Sequence, residues 1–171
     1  QKGIEGHGAR STAFNLEALD DEGDVNRINQ YELAEKIGSG TTATVWKARD
    51  ILDRRDVSVK VLNKRFLKKR RIGRCSNALQ SSLREIAIWK KLKHPSIKQL
   101  YEVIDSPSSE NIFLVSRLVQ GGAVMPDAND SQPLEASVAQ KLFAQLVSAV
   151  RYLHFQGIVH CDIKPGNILV N

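Results

Sequence analysis

The stretch that decides the fold is His160-Cys161-Asp162-Ile163-Lys164-Pro165-Gly166-Asn167. It combines a carboxylate, a cation two residues later and an amide at its end. Asp162 can accept a proton from a hydroxyl group, and Lys164 can neutralise a phosphoryl group during its transfer. The side-chain oxygen of Asn167 is a ligand that Mg²⁺ accepts. The octet therefore indicates phosphoryl-transfer chemistry.

A long amphipathic helix is predicted directly before this octet, over residues 135–156. Apolar residues recur there at helical spacing, and Gly157 provides the end of the helix. We expect the buried side of this helix to carry Leu142, Phe143, Leu146, Val150, Leu153 and His154. Residues 126–133, bounded by two prolines, are predicted to form a loop.

Upstream of this helix, the pattern predicts five strands and one further helix. Alternation and β-branched residues predict strands at residues 31–37, 44–48, 57–62, 100–104 and 111–115. Apolar residues at helical spacing predict a helix over residues 76–92, which His94-Pro95 follows. Gln120-Gly121-Gly122 reads as a flexible joint between this β-rich part and the helical part.

Two features of the β-rich part are compatible with phosphate binding. Gly38-Ser39-Gly40 lies between two strands, where backbone N–H groups can approach phosphate oxygens without an intervening Cβ. A plain hairpin turn explains the same glycines. Lys60 lies in a strand, and Glu85 on the helix is a candidate partner that would hold its ammonium group against phosphates. A purely structural ion pair is the alternative.

A basic segment follows Lys60, with seven positive residues between Lys64 and Arg74. A solvated loop explains this charge, and a docking surface for an acidic partner is the sharper interpretation. A nucleic-acid-binding domain is a third reading of the same charge. We do not expect nucleic-acid binding, because Phe66 is the only aromatic residue interleaved with these cations.

Composition excludes several classes of protein. The chain has 171 residues, 42% of them hydrophobic and 26% charged, with a formal net charge of +6. No apolar stretch approaches the roughly 20 residues that span a bilayer, so we expect no membrane insertion. Cys75 and Cys161 lie far apart without a Cys-x-x-Cys pattern, which favours a reducing, intracellular (cytoplasmic) setting. Residues 1–30 are polar and are expected to form a flexible leader.

The ordered set of glycine loop, strand lysine, helix glutamate and His-x-Asp-Ile-Lys-Pro-x-Asn resembles the eukaryotic protein kinases. Lys-Pro-x-Asn after the aspartate is similar to the serine/threonine subclass. Ile28-Asn29-Gln30-Tyr31-Glu32-Leu33, Glu85-Ile86-Ala87-Ile88 and the basic insert resemble the calcium/calmodulin-dependent protein kinase kinases and their fungal relatives. This resemblance implies an intracellular signalling enzyme whose protein substrate is another kinase.

The resemblance also implies a fold and a set of boundaries. The class would be α+β, a protein-kinase-like fold with a five-stranded antiparallel N-lobe, helix C and the truncated start of a helical C-lobe. The N-lobe would span residues 31–116, the hinge 117–121 and the beginning of the C-lobe 122–171. The 171 residues contain no Asp-Phe-Gly, so we expect this piece alone to be inactive and poorly stable, with Leu142, Phe143 and Leu146 incompletely buried.

Residue roles follow from the same resemblance. Gly38 and Gly40 would cover the ATP phosphates, and Lys60, salt-bridged to Glu85, would hold the α and β phosphates. Asp162 would be the catalytic base, Lys164 would stabilise the transferred phosphoryl group, and Asn167 would bind one Mg²⁺. Around adenine, the resemblance implies a gatekeeper residue at Ser116 and hydrogen bonds from the hinge backbone at Arg117 and Val119. It also implies that apolar side chains enclose the ring from both sides, namely Ile37, Val45 and Leu169.

Four positions depart from the pattern of the family. Ala43 replaces the third loop glycine, and Ser58 replaces a small alanine, so its hydroxyl needs a partner. Trp89 replaces a medium-sized aliphatic residue, and Cys161 replaces the arginine that pairs with a phosphorylated activation loop in many kinases. The main alternative function is a pseudokinase-like module that binds ATP or a partner without phosphoryl transfer.

Overall fold

The computed structural model describes residues 8–13, 17–19, 25–40, 42–72, 76–124 and 133–170. It divides into two compact units: residues 1–92 with 99–118, and residues 93–98 with 119–171. The division after Leu118 falls inside the hinge predicted at 117–121. Residues 93–98 were predicted to belong to the N-lobe, at 31–116, but they group with the second unit.

The first unit is built on one eight-stranded sheet. Its strands, in chain order, are β1 Arg10–Thr12, β2 Glu17–Leu19, β3 Val25–Ile28, β4 Tyr31–Ser39, β5 Ala43–Asp50, β6 Arg55–Asn63, β9 Leu100–Ile104 and β10 Asn111–Arg117, while β7 Arg71–Ile72 and β8 Ser76–Asn77 form a separate pair. The order across the sheet is β1-β9-β10-β6-β5-β4-β3-β2. All five predicted strands are present as β4, β5, β6, β9 and β10, and they pair antiparallel.

The structure differs from the expected flexible leader at residues 1–30. The strands β2 and β3 extend the sheet antiparallel beyond β4, and β1 pairs parallel with β9 at the opposite edge. Ile28, inside the predicted leader, is fully buried beside Tyr31. The polar composition concealed this because edge strands of three or four residues need few apolar side chains. Residues 1–7, 14–16 and 20–24 lie outside the described residues.

The sheet buries a different cluster on each of its two faces. Val57, Val59, Phe113 and Val115 alternate on β6 and β10 and belong to the first cluster, which is completed by Ile28, Tyr31, Ala48 and Ile104. Residues of opposite parity face the second cluster, formed by Leu62, Leu67, Ala78, Ile86, Leu100, Val103, Ile112 and Leu114. The period-2 pattern of each strand therefore fixes its register, because a shift by one residue would exchange the two clusters.

Two helices of the first unit pack on the second cluster. Helix α1, Lys64–Lys69, begins where the Asn63 side chain accepts a hydrogen bond from the Phe66 N–H, and it buries Leu67. Helix α2, Ala78–Trp89, begins where the Asn77 side chain accepts from the Gln80 N–H. The helix predicted over residues 76–92 is thus shorter at both ends. The basic segment, predicted as a loop or docking surface, forms helix α1 in part.

The second unit contains helix α3, Ala136–Phe155, as predicted to within one residue at each end. Two side chains predicted on its buried side are exposed, namely Phe143, at 66%, and His154. Leu142, Leu146 and Val150 are half-buried, and only Ala149 and Leu153 of this helix are fully buried among the described residues. The packed side lies around Tyr152, whose ring contacts His94 at 5.3 Å and whose hydroxyl accepts from the Lys93 N–H. No helix in the described residues is long and apolar enough to cross a membrane.

Candidate functional site

The loop that carries Asp162 is anchored at both ends within the second unit. At its start, Gly157 takes a positive φ of 71° and the Ile158 N–H donates to the Leu153 carbonyl, which closes helix α3. At its end, Val170 N–H donates to the Gly122 carbonyl and Val124 N–H to the Ile168 carbonyl. These bonds tie the start of the loop to helix α3 and its end to residues 122–124.

Asp162 is held by the two other functional side chains predicted in the octet. The Asn167 Nδ2 donates to Oδ2 of Asp162 at 2.8 Å and to its backbone carbonyl at 2.8 Å. Lys164 Nζ lies 3.2 Å from the other carboxylate oxygen, Oδ1. A short 3-10 helix, Pro165–Asn167, turns the chain so that Asn167 comes back to Asp162. The structure therefore brings the three predicted catalytic side chains together.

These contacts set the charge state of Asp162. The hydrogen bond from Asn167, followed by that from Lys164, lowers the pKa of the Asp162 carboxyl below its usual value. Both donors favour the charged form of the carboxylate. Asp162 is therefore ionised at neutral pH, as a group that accepts a proton from a hydroxyl must be.

The orientation of Asn167 fits a divalent cation. Because both of its hydrogen bonds to Asp162 use the amide nitrogen, the side-chain oxygen of Asn167 is the atom left for a hard metal ion. A divalent ion there would supply positive charge for the phosphate oxygens. No group of three or more His, Cys, Asp or Glu side chains suited to a metal occurs in the described part of the chain.

The backbone of the octet is strained at Cys161. This residue has φ of 63°, a left-handed conformation that costs about 1 kcal/mol or more for a residue with a Cβ. Next to it, the His160 ring nitrogen Nδ1 accepts from the Asp162 N–H at 3.2 Å. The turn at Cys161 thus brings the imidazole back onto the amide of Asp162, and strain of this kind is typical of functional loops.

In the first unit, Gly38 and Ser39 end strand β4, and Gly40 follows in the connection to β5. Gly40 N–H donates to the Ala43 carbonyl at 2.9 Å, and Gly38 pairs with Val45 across an irregular register. Ile37 is 46% exposed, whereas Gly38 and Val45 are half-buried. Val45 pairs with Gly38 on one side and with Lys60 on the other, so these three residues lie next to one another on the neighbouring strands β4, β5 and β6.

The predicted ion pair between Lys60 and Glu85 is not formed. Both side chains are exposed, and within the described residues no ion pair joins them. Helix α2 instead directs Ala78 and Ile86 into the core, which leaves Glu85 on its exposed side. An exposed lysine retains its hydration and needs no partner, so the desolvation argument that predicted the pair does not apply.

A buried hydrogen bond joins the two serines predicted beside adenine. The hydroxyls of Ser58 and Ser116 lie 3.0 Å apart, and each residue is 1% exposed. Sequence reasoning required a partner for Ser58 but did not identify Ser116. The two residues lie opposite each other because of the register between β6 and β10, which the sequence of neither strand specifies by itself. Directly after Ser116, the Arg117 N–H donates to the Gln99 carbonyl at 2.9 Å.

The remaining two predicted adenine contacts lie in the second unit. Val119 is half-buried and Leu169 is 41% exposed. Leu169 pairs with Ala123 in an isolated bridge, which fixes its backbone beside residues 121–124. Gly121 permits this approach, because a Cβ there would lie 2.4 Å from the Val170 carbonyl oxygen. Any larger residue at position 121 would push the two segments apart.

Most of this chain is similar in sequence to known proteins. Residues 31–171 match the protein kinase domain. The chain is 40% identical over 146 residues to the serine/threonine-protein kinase ssp1 of Schizosaccharomyces pombe, covering 84% of this chain and 22% of ssp1. It is 35% identical over 161 residues to GRIK2, a serine/threonine-protein kinase of Arabidopsis thaliana, covering 94% and 39%. It is also 35% identical over 161 residues to a calcium/calmodulin-dependent protein kinase kinase of Caenorhabditis elegans, covering 85% and 30%.

The chain spans only about a fifth to two fifths of the length of these relatives. The match nevertheless covers every strand from β4 onward, helix α3 and the whole octet. It confirms the kinase-like α+β fold and the serine/threonine subclass predicted from Lys164-Pro165-Gly166-Asn167. Members of this family use ATP together with a divalent metal ion. The chain belongs to the protein kinase family, with serine/threonine kinases as its relatives.

Proposed function

We propose that the protein containing this chain transfers the γ-phosphoryl group of ATP to serine and threonine hydroxyls of another protein. The observation that carries the proposal is the Asp162 carboxylate held by Asn167 and Lys164. The carboxylate accepts the hydroxyl proton, and Lys164 neutralises charge on the phosphoryl group. Asn167 would hold Mg²⁺ through its side-chain oxygen. Gly38, Gly40 and Lys60 would bind the phosphates, while Ile37, Val45, Arg117, Val119 and Leu169 would surround adenine.

The experiment measures phosphate transfer from radiolabelled ATP to serine and threonine peptides by the full-length protein. We expect Asp162→Asn to lower kcat by about 10²- to 10⁴-fold, because the general base is lost. Glu32→Gln, which neutralises an exposed carboxylate on β4, is the matched control and should retain activity. Equal activity of the wild-type protein and the Asp162→Asn variant would contradict the proposal.

We further propose that the substrate is another kinase and that the protein acts in the cytoplasm. Support comes from the relatives, one of which is named a calcium/calmodulin-dependent protein kinase kinase. Exposed Cys161, a free thiol, is consistent with a reducing compartment. Activation of a purified, unphosphorylated partner kinase tests the first part, and microscopy of the tagged protein tests the second. We expect the 171-residue piece alone to show no transfer, since it contains no Asp-Phe-Gly.

The alternative is a module that binds ATP without transferring phosphate. The observation that favours it is that Lys60 and Glu85 are both exposed and form no ion pair with each other. The proposed function needs Lys60 directed at the phosphates, and the predicted ion pair with Glu85 would hold it there. Under this alternative, the full-length protein binds a fluorescent ATP analogue but shows no transfer to peptides or to itself. Peptide phosphorylation that depends on Asp162 would exclude it.

The basic segment of residues 64–74 is proposed to dock an acidic protein partner. Lys68, Lys69 and Arg70 are exposed and have no ion-pair partner in the described residues, whereas Lys64 and Arg65 pair with Asp105 and Glu110. A cavity of about 520 Å³ adjoins them, and its lining includes Arg65, Phe66 and Lys69 together with residues 40 and 42–44. Lys69→Glu should weaken binding of an acidic peptide more than Lys68→Glu, which carries the same charge change outside the cavity. Arg74 lies outside the described residues.

A further inference from the structure

One carboxylate of the first unit is buried at the edge of the sheet. Glu102, in the middle of β9, is 4% exposed. Its carboxylate accepts hydrogen bonds from the Tyr31 hydroxyl at 2.6 Å, from Arg10 Nη2 at 3.1 Å and from the Thr12 hydroxyl. A buried carboxylate is tolerated only when such donors compensate for its lost hydration. Two of these three donors belong to β1.

Strand β1 lies at one edge of the sheet. It has three residues and pairs parallel with β9, with Arg10 opposite Glu102 and Thr12 opposite Ile104. Beyond β1, the Asp105 N–H donates to the Thr12 carbonyl at 2.9 Å. A strand this short at an edge opens locally at small free-energy cost, which exposes the half-buried Thr12 hydroxyl transiently.

We propose that Thr12 is a phosphorylation site and that its phosphorylation releases β1 from the sheet. In the modification, the Thr12 oxygen forms a bond to the γ-phosphorus of ATP, and the bond from that phosphorus to the β–γ bridging oxygen breaks. ADP leaves, and the hydroxyl proton passes to the carboxylate base of the serine/threonine kinase that performs the transfer. This proposal goes beyond the proposed function of the chain, and it holds whichever kinase modifies Thr12.

The expulsion of β1 follows from charge. A phosphate carries about −1.5 to −2 charges at neutral pH. On Thr12 it would meet, at hydrogen-bond distance, the carboxylate of Glu102, a residue that is 4% exposed. Phosphorylation also removes the hydroxyl proton that Thr12 donates. Arg10 is the one cation paired with Glu102 in the described residues, and it belongs to the same strand, so it can leave together with the phosphate.

The neighbouring hydroxyl has the opposite environment. Ser11 is exposed, lies on the other side of β1 and accepts a hydrogen bond from Lys90 Nζ just after helix α2. A phosphate on Ser11 would face this ammonium group, and within the described part of the chain no carboxylate forms an ion pair with Lys90. Phosphorylation of two adjacent residues therefore has opposite consequences: that of Thr12 detaches β1, whereas that of Ser11 retains it.

Release has a defined structural result. It leaves the backbone of β9 with an unpaired edge, and it breaks the link from Ser11 to Lys90. That link connects β1 to the end of the helix that carries Glu85. Phosphorylation of Thr12 would thus free the end of α2 from its contact with β1.

The test uses the full-length protein in three forms, unmodified, phosphorylated at Thr12 and phosphorylated at Ser11, prepared by site-specific incorporation of the phosphoamino acids. Hydrogen exchange is followed at the Asp105 amide, whose acceptor is Thr12. We expect at least tenfold faster exchange in the protein phosphorylated at Thr12. The protein phosphorylated at Ser11 should exchange no faster than the unmodified form. Mass spectrometry of the protein isolated from the organism that produces it should find phosphate on Thr12.

Two results would overturn the proposal. One is exchange at Asp105 that is unchanged by phosphate on Thr12, or accelerated equally by phosphate on Ser11. The other is the absence of phosphate from Thr12 in protein from growing and stressed cells alike. Thr12→Val, which removes the hydroxyl without adding charge, separates loss of a hydrogen bond from repulsion. It should accelerate exchange less than phosphate does.

Discussion

The hydroxyl groups of Ser58 and Ser116 lie 3.0 Å apart on the neighbouring strands β6 and β10, directly opposite each other in the antiparallel register. Both residues are buried, so water does not hydrate their hydroxyls, and the hydrogen bond between the two hydroxyls replaces some of the hydrogen bonding that water would supply. This pair stands where the kinase resemblance expects an alanine and a gatekeeper. The departure at Ser58 is therefore accommodated by Ser116.

Single and double alanine variants of this pair should show coupling. We expect Ser116→Ala and Ser58→Ala each to lower the free energy of unfolding by about 1 kcal/mol, because each removes a buried hydrogen-bond partner. The double variant should lose less than the sum of the two, with a coupling of about 0.5–1.5 kcal/mol. Urea unfolding of the full-length protein measures all four forms. Additive losses would show that the two hydroxyls do not support each other.

Asn167 should control the pKa of Asp162. Its hydrogen bond is the largest cause of the lowered pKa, and that of Lys164 is the second. Asn167→Ala should therefore raise the pKa of the Asp162 carboxyl towards the usual value, and so should Lys164→Ala, which removes a hydrogen bond and a positive charge together. Carbon-13 NMR of the labelled carboxyl group in a pH titration measures both shifts. An unchanged pKa in the Asn167→Ala variant would contradict the assigned cause.

The sign of the accompanying stability effect is fixed by the lowered pKa. A carboxyl whose pKa is lower in the folded state stabilises that state above its unfolded pKa, and this contribution is lost as pH falls through the folded pKa. The free energy of unfolding should therefore differ less between neutral and acidic pH in the Asn167→Ala variant than in the wild-type protein. Unfolding followed by circular dichroism at pH 7 and at a pH below the usual aspartate pKa tests this. A wider difference in the variant would contradict the assigned cause.

Local patterns predicted most of this fold. Alternation located the five central strands, and helical periodicity located α3 to within one residue at each end. The octet predicted three side chains that the structure brings together. These features succeeded because the period of apolar residues and the spacing within one loop depend on neighbours in the sequence.

Features that depend on distant partners were missed. The strand β1 escaped because its Arg10 and Thr12 pair with Glu102, which lies about 90 positions further along the chain. The strands β2 and β3 escaped because they are only three and four residues long. The pair of Lys60 and Glu85 failed because the orientation of α2 is set by Ile86 in the core, not by the charges. Periodicity indicates the apolar face of α3 but not how much of that face is covered. The exposure of Phe143 and the half-burial of Leu142 and Leu146 confirm the separate expectation that these three residues are incompletely buried.

Lys64 should contribute to stability, unlike its neighbours in the basic segment. Its ammonium donates to the carbonyls of Ser106 and Ser109 at 2.7 and 2.9 Å and pairs with Asp105 at 2.7 Å. We expect Lys64→Ala to cost about 1.5–3 kcal/mol, because two backbone acceptors lose a charged donor. Lys68→Ala, at an exposed position of the same helix, should stay within about 0.5 kcal/mol. Thermal unfolding of both variants decides, and equal losses would contradict the assignment.

Tyr31 should be essential to the buried carboxylate. Burial, and then the hydrogen bond to Glu102, raise the pKa of the Tyr31 hydroxyl, which keeps it protonated as a donor. We expect Tyr31→Phe to lower the free energy of unfolding by about 1.5–3 kcal/mol, because the charged acceptor loses one of its donors. The volume of the ring is retained, so packing of the first cluster does not account for the loss.

A second substitution separates charge from packing at this position. Glu102→Gln keeps the shape of the side chain and removes its charge, so the loss caused by Tyr31→Phe should be smaller in the Glu102→Gln background. The difference between the two backgrounds, measured by urea unfolding, gives the strength of the Tyr31–Glu102 interaction. Identical losses in both backgrounds would mean that the Tyr31 hydroxyl does not stabilise the charge of Glu102. In that case the carboxylate would depend on Arg10 and Thr12 alone, and β1 would carry all of its compensation.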